Sequence, residues 1–302
     1  MFPIIPAATT AVSGNQEGIF GFGDDSGNLA MTNLVSNAGV VSTDVAGVGT
    51  ARNGPGACEY GEDKGIFGFG YAGTFVSMTN LVSNAGVVAT DVAGVGTIRV
   101  ELAACDYGGD KGIFGYGYIG SGNKTAVSNL VSNTGVVATD VSGVGTARYG
   151  PGATQYGEDK GIFGYGLNGG DNVSITNLVS NAGVIATDQA ATTGTARRYS
   201  PACSYGGDKG IFGFGLSGGG DVGVTNLVSN TGVVATDTAA VGTARRFPGA
   251  CEYGGDKGIF GYGYDGSNAV SMTNLVSNAG VVATDVTGVG TIRAQLTACS
   301  FN

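Results

Sequence analysis

The 302-residue sequence contains no histidine and no tryptophan. Without histidine there is no Ser-His-Asp or Cys-His catalytic arrangement, no facial triad and no His-ligated zinc or haem. Charge is scarce as well. Asp, Glu, Lys and Arg make up 12% of the chain, against about 25% in an average soluble domain. The 14 basic and 23 acidic residues leave a net charge of −9. Phosphate neutralisation dominates nucleic-acid affinity, so no nucleic-acid partner is expected. No apolar run approaches the roughly 18–20 residues that cross a bilayer, and no membrane insertion is expected. The first ten residues, MFPIIPAATT, carry no Lys or Arg and only a short apolar stretch. They do not read as a signal peptide. What the chain has in excess is glycine, at 59 of 302 positions, where average usage is about 7%.

The glycines are periodic. Gly-Ile-Phe starts at Gly18, Gly65, Gly112, Gly161, Gly210 and Gly258, at spacings of 47, 47, 49, 49 and 48 residues. Asn-Leu-Val-Ser-Asn starts at Asn33, Asn80, Asn129, Asn177, Asn226 and Asn274. A Thr-Asp pair follows, ending at Asp44, Asp91, Asp140, Asp188, Asp237 and Asp285. Gly-Thr-x-Arg closes each unit at Arg52, Arg99, Arg148, Arg197, Arg245 and Arg293. Six copies of one unit account for nearly the whole chain.

Within a unit, residues 57–60, 65–70, 76–82 and 87–92 read as short strands. Gly/Asp- and Asn/Gly-rich turns separate them. No stretch has the apolar spacing of a helix. Four strands per 47–49 residues is the arithmetic of a propeller blade. A parallel β-helix is the competing repeat fold, but its strands are not joined by tight hairpins. The expected fold is therefore all-β: a six-bladed β-propeller with four antiparallel strands per blade, spanning 14–302, preceded by an N-terminal arm at 1–13. Residues 296–302 match the first strand of a unit, and the chain enters its first unit at the second strand. The C-terminal strand is expected to join the N-terminal blade and close the ring, which removes sheet edges. In Gly18-Ile19-Phe20-Gly21-Phe22-Gly23, alternation places Phe20 and Phe22 on one face, packed against a glycine-floored neighbour.

A strand ending in Gly-x-Gly, a variable loop, two further strands and an Arg before a small-residue strand resembles the kelch-type repeat. Trp is absent, and the glycines alternate where kelch repeats have them adjacent. The wording GDKGIFGYG, NLVSNTGVVATD and GVGTAR is also similar to kelch-like repeats in structural proteins of tailed bacteriophages, marine ones especially. That resemblance covers all six units. It implies a virion or tail-associated component making protein–protein or host-surface contact, located in the virion and assembled in the host cytoplasm, or otherwise extracellular or at a cell surface; it implies no chemistry, and the missing catalytic constellations make a non-enzymatic role the expectation. The partners it implies are other virion proteins or a host surface receptor, possible glycans included.

The remaining chemistry reads as structural. Cys58, Cys105, Cys203, Cys251 and Cys299 share one repeat position, filled by Thr154 in the sixth copy. They read as buried free thiols, consistent with folding in a reducing compartment. The six repeat arginines form a ring, expected to pair with the Thr-Asp carboxylates of the same or a neighbouring blade. The Asp-Lys turns read as exposed tips worth little. No loop has EF-hand spacing, so no metal or other cofactor is expected. Gly-x-Gly has no helix after it and is no phosphate loop. A glycosidase needs two carboxylates outside the repeat, and almost every acid here belongs to it.

Symmetry breaks in two loop sets: 24–28, 71–75, 118–125, 167–172, 216–221 and 264–268 within units, and 53–56, 100–102, 149–152, 198–200 and 246–248 between them. An up-down blade puts both sets on one face. That individual face is the expected binding face, with Asp24, Asp25, Asn28, Tyr71, Phe75, Tyr118, Lys124, Asn168, Asp171, Asp221, Tyr264 and Asp265 as candidate contacts; the opposite face, whose near-identical turns offer a multivalent surface, is the alternative docking face. The alternative function is a multivalent carbohydrate-binding propeller lectin. The loops do not repeat the side chains that one sugar pocket per blade would need.

Overall fold

The computed structural model describes residues 15–190 and 194–301; the expected arm at 1–13 lies outside the described residues. The protein is all-β, with no helix among the described residues. In every repeat the Gly-Ile-Phe-Gly run forms the central strand of a three-stranded antiparallel sheet. β-Branched and aromatic residues favour the pleated surface, and the glycines leave room for neighbours. Lys64–Tyr71 pairs with Gly56–Tyr60 on one side and Phe75–Val82 on the other. The turn between the first two strands takes positive φ at Gly61 and Glu62, the handedness that matches strand twist.

The equivalent sheets are built on Lys111–Gly115, Lys160–Gly164, Lys209–Gly213 and Lys257–Tyr264. The sixth is assembled from both ends of the chain. Glu17–Asp24 pairs with Asn28–Val35 and also with Thr297–Phe301, with Ile19 opposite Cys299 and Phe20 opposite Ala298. This is the pairing expected for residues 296–302.

The fourth strand expected at 87–92 does not form a ladder. Two isolated bridges hold it, Val82 to Val88 and Thr79 to Val92. The register slips by one residue between them, as in a bulge. The Asn80 side chain fills the gap, its Nδ2 donating to the Ala89 carbonyl at 3.0 Å. The other five units repeat the arrangement.

The first strands stand side by side in chain order. Gly56–Tyr60 neighbours Ala103–Tyr107, followed by Gly152–Tyr156, Ala202–Tyr205, Gly249–Tyr253 and Thr297–Phe301, which neighbours Gly56–Tyr60 again. Rings and glycines interlock across the seams. Phe67 lies on Gly21, Phe114 on Gly68, Phe163 on Gly115, Phe212 on Gly164, Phe260 on Gly213 and Phe20 on Gly261. A Cβ at Gly68 would stand 2.8 Å from Phe114 Cζ, so the close approach requires glycine.

Phe20 and Phe22 do not share a face, contrary to simple alternation. The register shifts between Gly21 and Gly23, and Phe22 has φ of 63°. This bulge turns the second ring to the opposite side. Phe20 meets Tyr262 of one neighbouring sheet and Phe22 meets Phe67 of the other, each edge to face with centroids 5.2 Å apart. Four further pairs repeat this geometry. Each contributes about 0.5–1.5 kcal/mol beyond its buried area. Every sheet thus gives one ring to each neighbour.

Candidate functional site

The six repeat arginines are fully buried. Each guanidinium lies over an aromatic face, 3.9 to 4.2 Å from the ring centroid: Arg52 on Phe22, Arg99 on Phe69, Arg148 on Tyr116, Arg197 on Tyr165, Arg245 on Phe214 and Arg293 on Tyr262. Nη2 donates to the asparagine that opens Asn-Leu-Val-Ser-Asn in the next unit, at 2.6 to 2.7 Å; Arg52 reaches Asn80 and Arg293 reaches Asn33. The same asparagine donates at 2.9 Å to the Thr-Asp carboxylate. That carboxylate also accepts the threonine hydroxyl two residues before the arginine, as Asp91 does from Thr50 at 2.6 Å.

The expected partner of the arginine was the carboxylate. It stands 3.9 to 4.0 Å away in four units, and the closer bond goes to the asparagine between them. Burial pushes the Asp91 carboxyl up, but bonds from Thr50 and Asn80 and the Arg52 charge outweigh it and hold it below the ordinary range. Burial lowers Arg52, Arg99 and Arg245 to about 10. These groups are consumed in joining units, not in facing a ligand.

The two variable loop sets meet on one face, as expected. Asn53 bridges to Tyr71, Val100 to Tyr118, Tyr149 to Leu167, Arg246 to Tyr264 and Asp24 to Ala294, and Arg197–Arg198 pairs with Leu216–Ser217. Some of the expected contacts are occupied locally. Asn28 donates to the Tyr71 carbonyl and accepts from Asn53, both at 2.9 Å. Asp171 pairs with Asn168 in a tight hairpin. Asp221 holds Arg246 at 3.2 Å, and Arg246 lies over Tyr264 at 4.6 Å. Asp265 caps its own turn, accepting from Ser267 and Asn268 at 2.8 Å. Asp25 sits in a turn where its N–H donates to the Gly27 carbonyl at 3.2 Å.

Tyr71, Phe75, Tyr118 and Lys124 instead come together in a cleft of about 400 Å³, with Asn53, Glu101, Tyr149 and Tyr199. The rings form a continuous row. Centroids are 5.8 Å apart for Tyr71–Phe75 and Phe75–Tyr118, 5.6 Å for Tyr118–Tyr149 and 6.1 Å for Tyr149–Tyr199. Tyr199 continues onto Phe247 at 3.9 Å.

Glu101, Tyr149, Tyr199 and Phe247 escaped the sequence reading as contacts, although the connections holding them stood out as variable. Glu101, Tyr199 and Phe247 share a repeat position with Gly54, Gly150 and Gln295, and all six have φ between 53° and 64°. Backbone bonds string them together: Glu101 N–H to Gly54, Gly150 to Glu101, Tyr199 to Gly150, and Gly54 to Gln295, at 2.7 to 2.9 Å. A left-handed conformation costs a non-glycine residue about 1–2 kcal/mol. Four side chains are held at that cost around one end of the space between the first strands, where Pro55, Leu102 and Leu296 complete the lining. The Tyr199 hydroxyl donates to Glu101 at 3.3 Å. Burial raises the Glu101 carboxyl to about 7 despite that bond and the Arg198 charge.

The other end of that space is lined by Glu59, Asp106, Gln155, Ser204, Glu252 and Ser300, beside the cysteine positions. Sequence reasoning stopped at the cysteines and missed these neighbours. Burial raises Glu252 to about 7, Asp106 to about 6 and Glu59 well above the usual range. Ser204 donates to Glu252. The five thiols are buried and unpaired, and burial pushes them up. Among the described residues no three His, Cys, Asp or Glu side chains are grouped to hold a metal. Comparison with protein-family models and with curated proteins finds no match to the chain.

Proposed function

We propose that the chain is a six-bladed propeller closed by Thr297–Phe301, and that it is a non-enzymatic interaction module of a phage virion or tail. Its individual face would touch another virion protein or a host surface. Closure is supported by the succession of first strands and by the Arg293–Asn33 bond, which joins the last repeat to the first as Arg52–Asn80 joins the first to the second. The virion role rests on the resemblance of the repeat wording.

One observation carries the interaction reading. The repeated polar side chains are spent between units, while the non-repeated rings and charges gather in one cleft on one face. Loops on a rigid scaffold are where binding resides. A glycosidase would need a second facing carboxylate, and Glu101 is the one acid lining the cleft among the described residues.

The test compares the intact chain with Tyr118→Ser/Tyr149→Ser on the individual face and Val87→Lys on the turn between the third and fourth segments. Binding to purified tail particles and to bacterial cell surfaces is measured. The double substitution should abolish binding and Val87→Lys should leave it. Loss in Val87→Lys alone, or no binding by the intact chain, would overturn the reading.

A further inference from the structure

We infer that the cleft walled by Tyr71, Phe75, Tyr118 and Tyr149, with Glu101 and Lys124 at its polar positions, is a carbohydrate site, one per chain, for an uncharged pyranose-containing glycan. The inference rests on the interaction role proposed for this face and names its ligand.

Size is the first support. About 400 Å³ falls within the roughly 300–1,000 Å³ of small-molecule sites, which are mostly apolar and aromatic with a few placed polar groups. Composition is the second. A pyranose presents an apolar C–H face and a rim of hydroxyls. The negative face of an aromatic ring suits the polarised C–H groups, and the row from Tyr71 to Tyr199 offers several such rings in succession. Each hydroxyl both donates and accepts, so its partners must include both kinds. Lys124 donates, and the Asn53 carbonyl oxygen accepts while its nitrogen is engaged with Asn28. Glu101, with its carboxyl raised to about 7 by burial, serves in either role near neutral pH.

Charge narrows the ligand. The cleft holds one acid and one base, Glu101 and Lys124. A cation seeking the rings meets Lys124, whose Nζ already stands 6.0 Å from the Tyr149 centroid. An anion seeking Lys124 meets Glu101. A neutral, hydroxyl-rich ligand meets neither conflict. An extended peptide adding as a strand has no edge to use, because the backbones of Tyr71 and Tyr118 are already paired with Asn53 and Val100. Among the described residues the site is single, because the corresponding space elsewhere is filled or lacks rings. Arg246, held by Asp221, covers Tyr264, and Asp24 faces Ala294 across its bridge.

The intact chain is titrated with a panel of neutral oligosaccharides, followed by calorimetry and saturation-transfer NMR, alongside Tyr118→Ala, Lys124→Ala, Glu101→Gln and the control Asp265→Ala. At least one neutral glycan should bind at one equivalent per chain. Tyr118→Ala and Lys124→Ala should each weaken it about tenfold or more, with melting behaviour retained, and Asp265→Ala should not. Six equivalents per chain, binding unchanged in the cleft variants, preference for a proline-rich peptide, or no binding across the panel would each overturn the inference. If sugars fail but the Tyr118→Ser/Tyr149→Ser variant still loses particle or cell-surface binding, the carbohydrate assignment alone falls. If a glycan binds while particles and cells do not, the interaction role falls instead.

Discussion

At the scale of single residues, the seams depend on a relay of Arg, Asn, Asp and Thr. In Arg148 the guanidinium stacks on Tyr116 and donates to Asn177, which in turn holds Asp188. Arg148→Met keeps most of the stem but leaves the Asn177 oxygen buried without its donor. Leaving a buried neutral acceptor without its donor costs about 1–3 kcal/mol. Chemical denaturation should show a loss in that range, and Asn177→Leu should not add to it in full, because both act on one network. The buried acids make a second prediction. Glu252 is raised from 4.5 to about 7. Between those values the folded state holds a proton that the unfolded state releases, so stability falls as pH rises through that window. Asp44 and Asp91 are lowered; their contribution is present above the unfolded value and is lost as pH falls through the folded one. The melting temperature should therefore peak near about pH 4–5 and decline toward pH 8. Glu252→Gln should flatten the alkaline side and raise stability at pH 8 by about 1–3 kcal/mol. A melting profile that rises from pH 5 to 8 would contradict this.

At the scale of strands and sheets, the interlock of ring and glycine sets the sheet separation. A Cβ at Gly164 would stand 2.8 Å from Phe212 Cζ, and a rigid ring cannot fold away. Gly164→Ala should destabilise by about 1–3 kcal/mol, the usual cost of overpacking, and Phe212→Leu in the same chain should restore part of it. Calorimetry of the single and double variants measures both. Much at this scale was legible. The Gly-Ile-Phe strand, its hairpins and the match between 296–302 and the first strands are written in local composition and period. The bulge at Phe22 was not, since a positive φ on an aromatic residue is imposed by the neighbouring sheet. Nor was the role of Asn33 and its equivalents, which read as ordinary strand residues until the preceding unit delivers its arginine. Variable loops marked the face that holds the cleft. The cleft stayed hidden because Tyr71, Tyr118, Tyr149 and Tyr199 come from separate connections that only inter-unit packing brings together.

At the scale of the whole molecule, the proposed propeller rests on closure. Thr297–Phe301 supplies the first strand of the sheet that begins with Glu17–Asp24. Phe301 is fully buried, and Cys299 packs on Gly65 of the following unit. Removing this strand opens two seams, one toward Gly249–Tyr253 and one toward Gly56–Tyr60. In an array of units stabilised by nearest-neighbour interfaces, losing an element that holds two of them weakens the whole. The most direct measurement is thermal melting and hydrogen exchange of a chain lacking 297–302, compared with one lacking only residues 1–6. Closure predicts a large drop in melting temperature for the first, with protection lost at Ile66 and Ile259 as well as at Ile19, and near-intact melting for the second. A C-terminal truncation that melts like the full chain, with exchange raised only at Ile19 and its immediate neighbours, would contradict it.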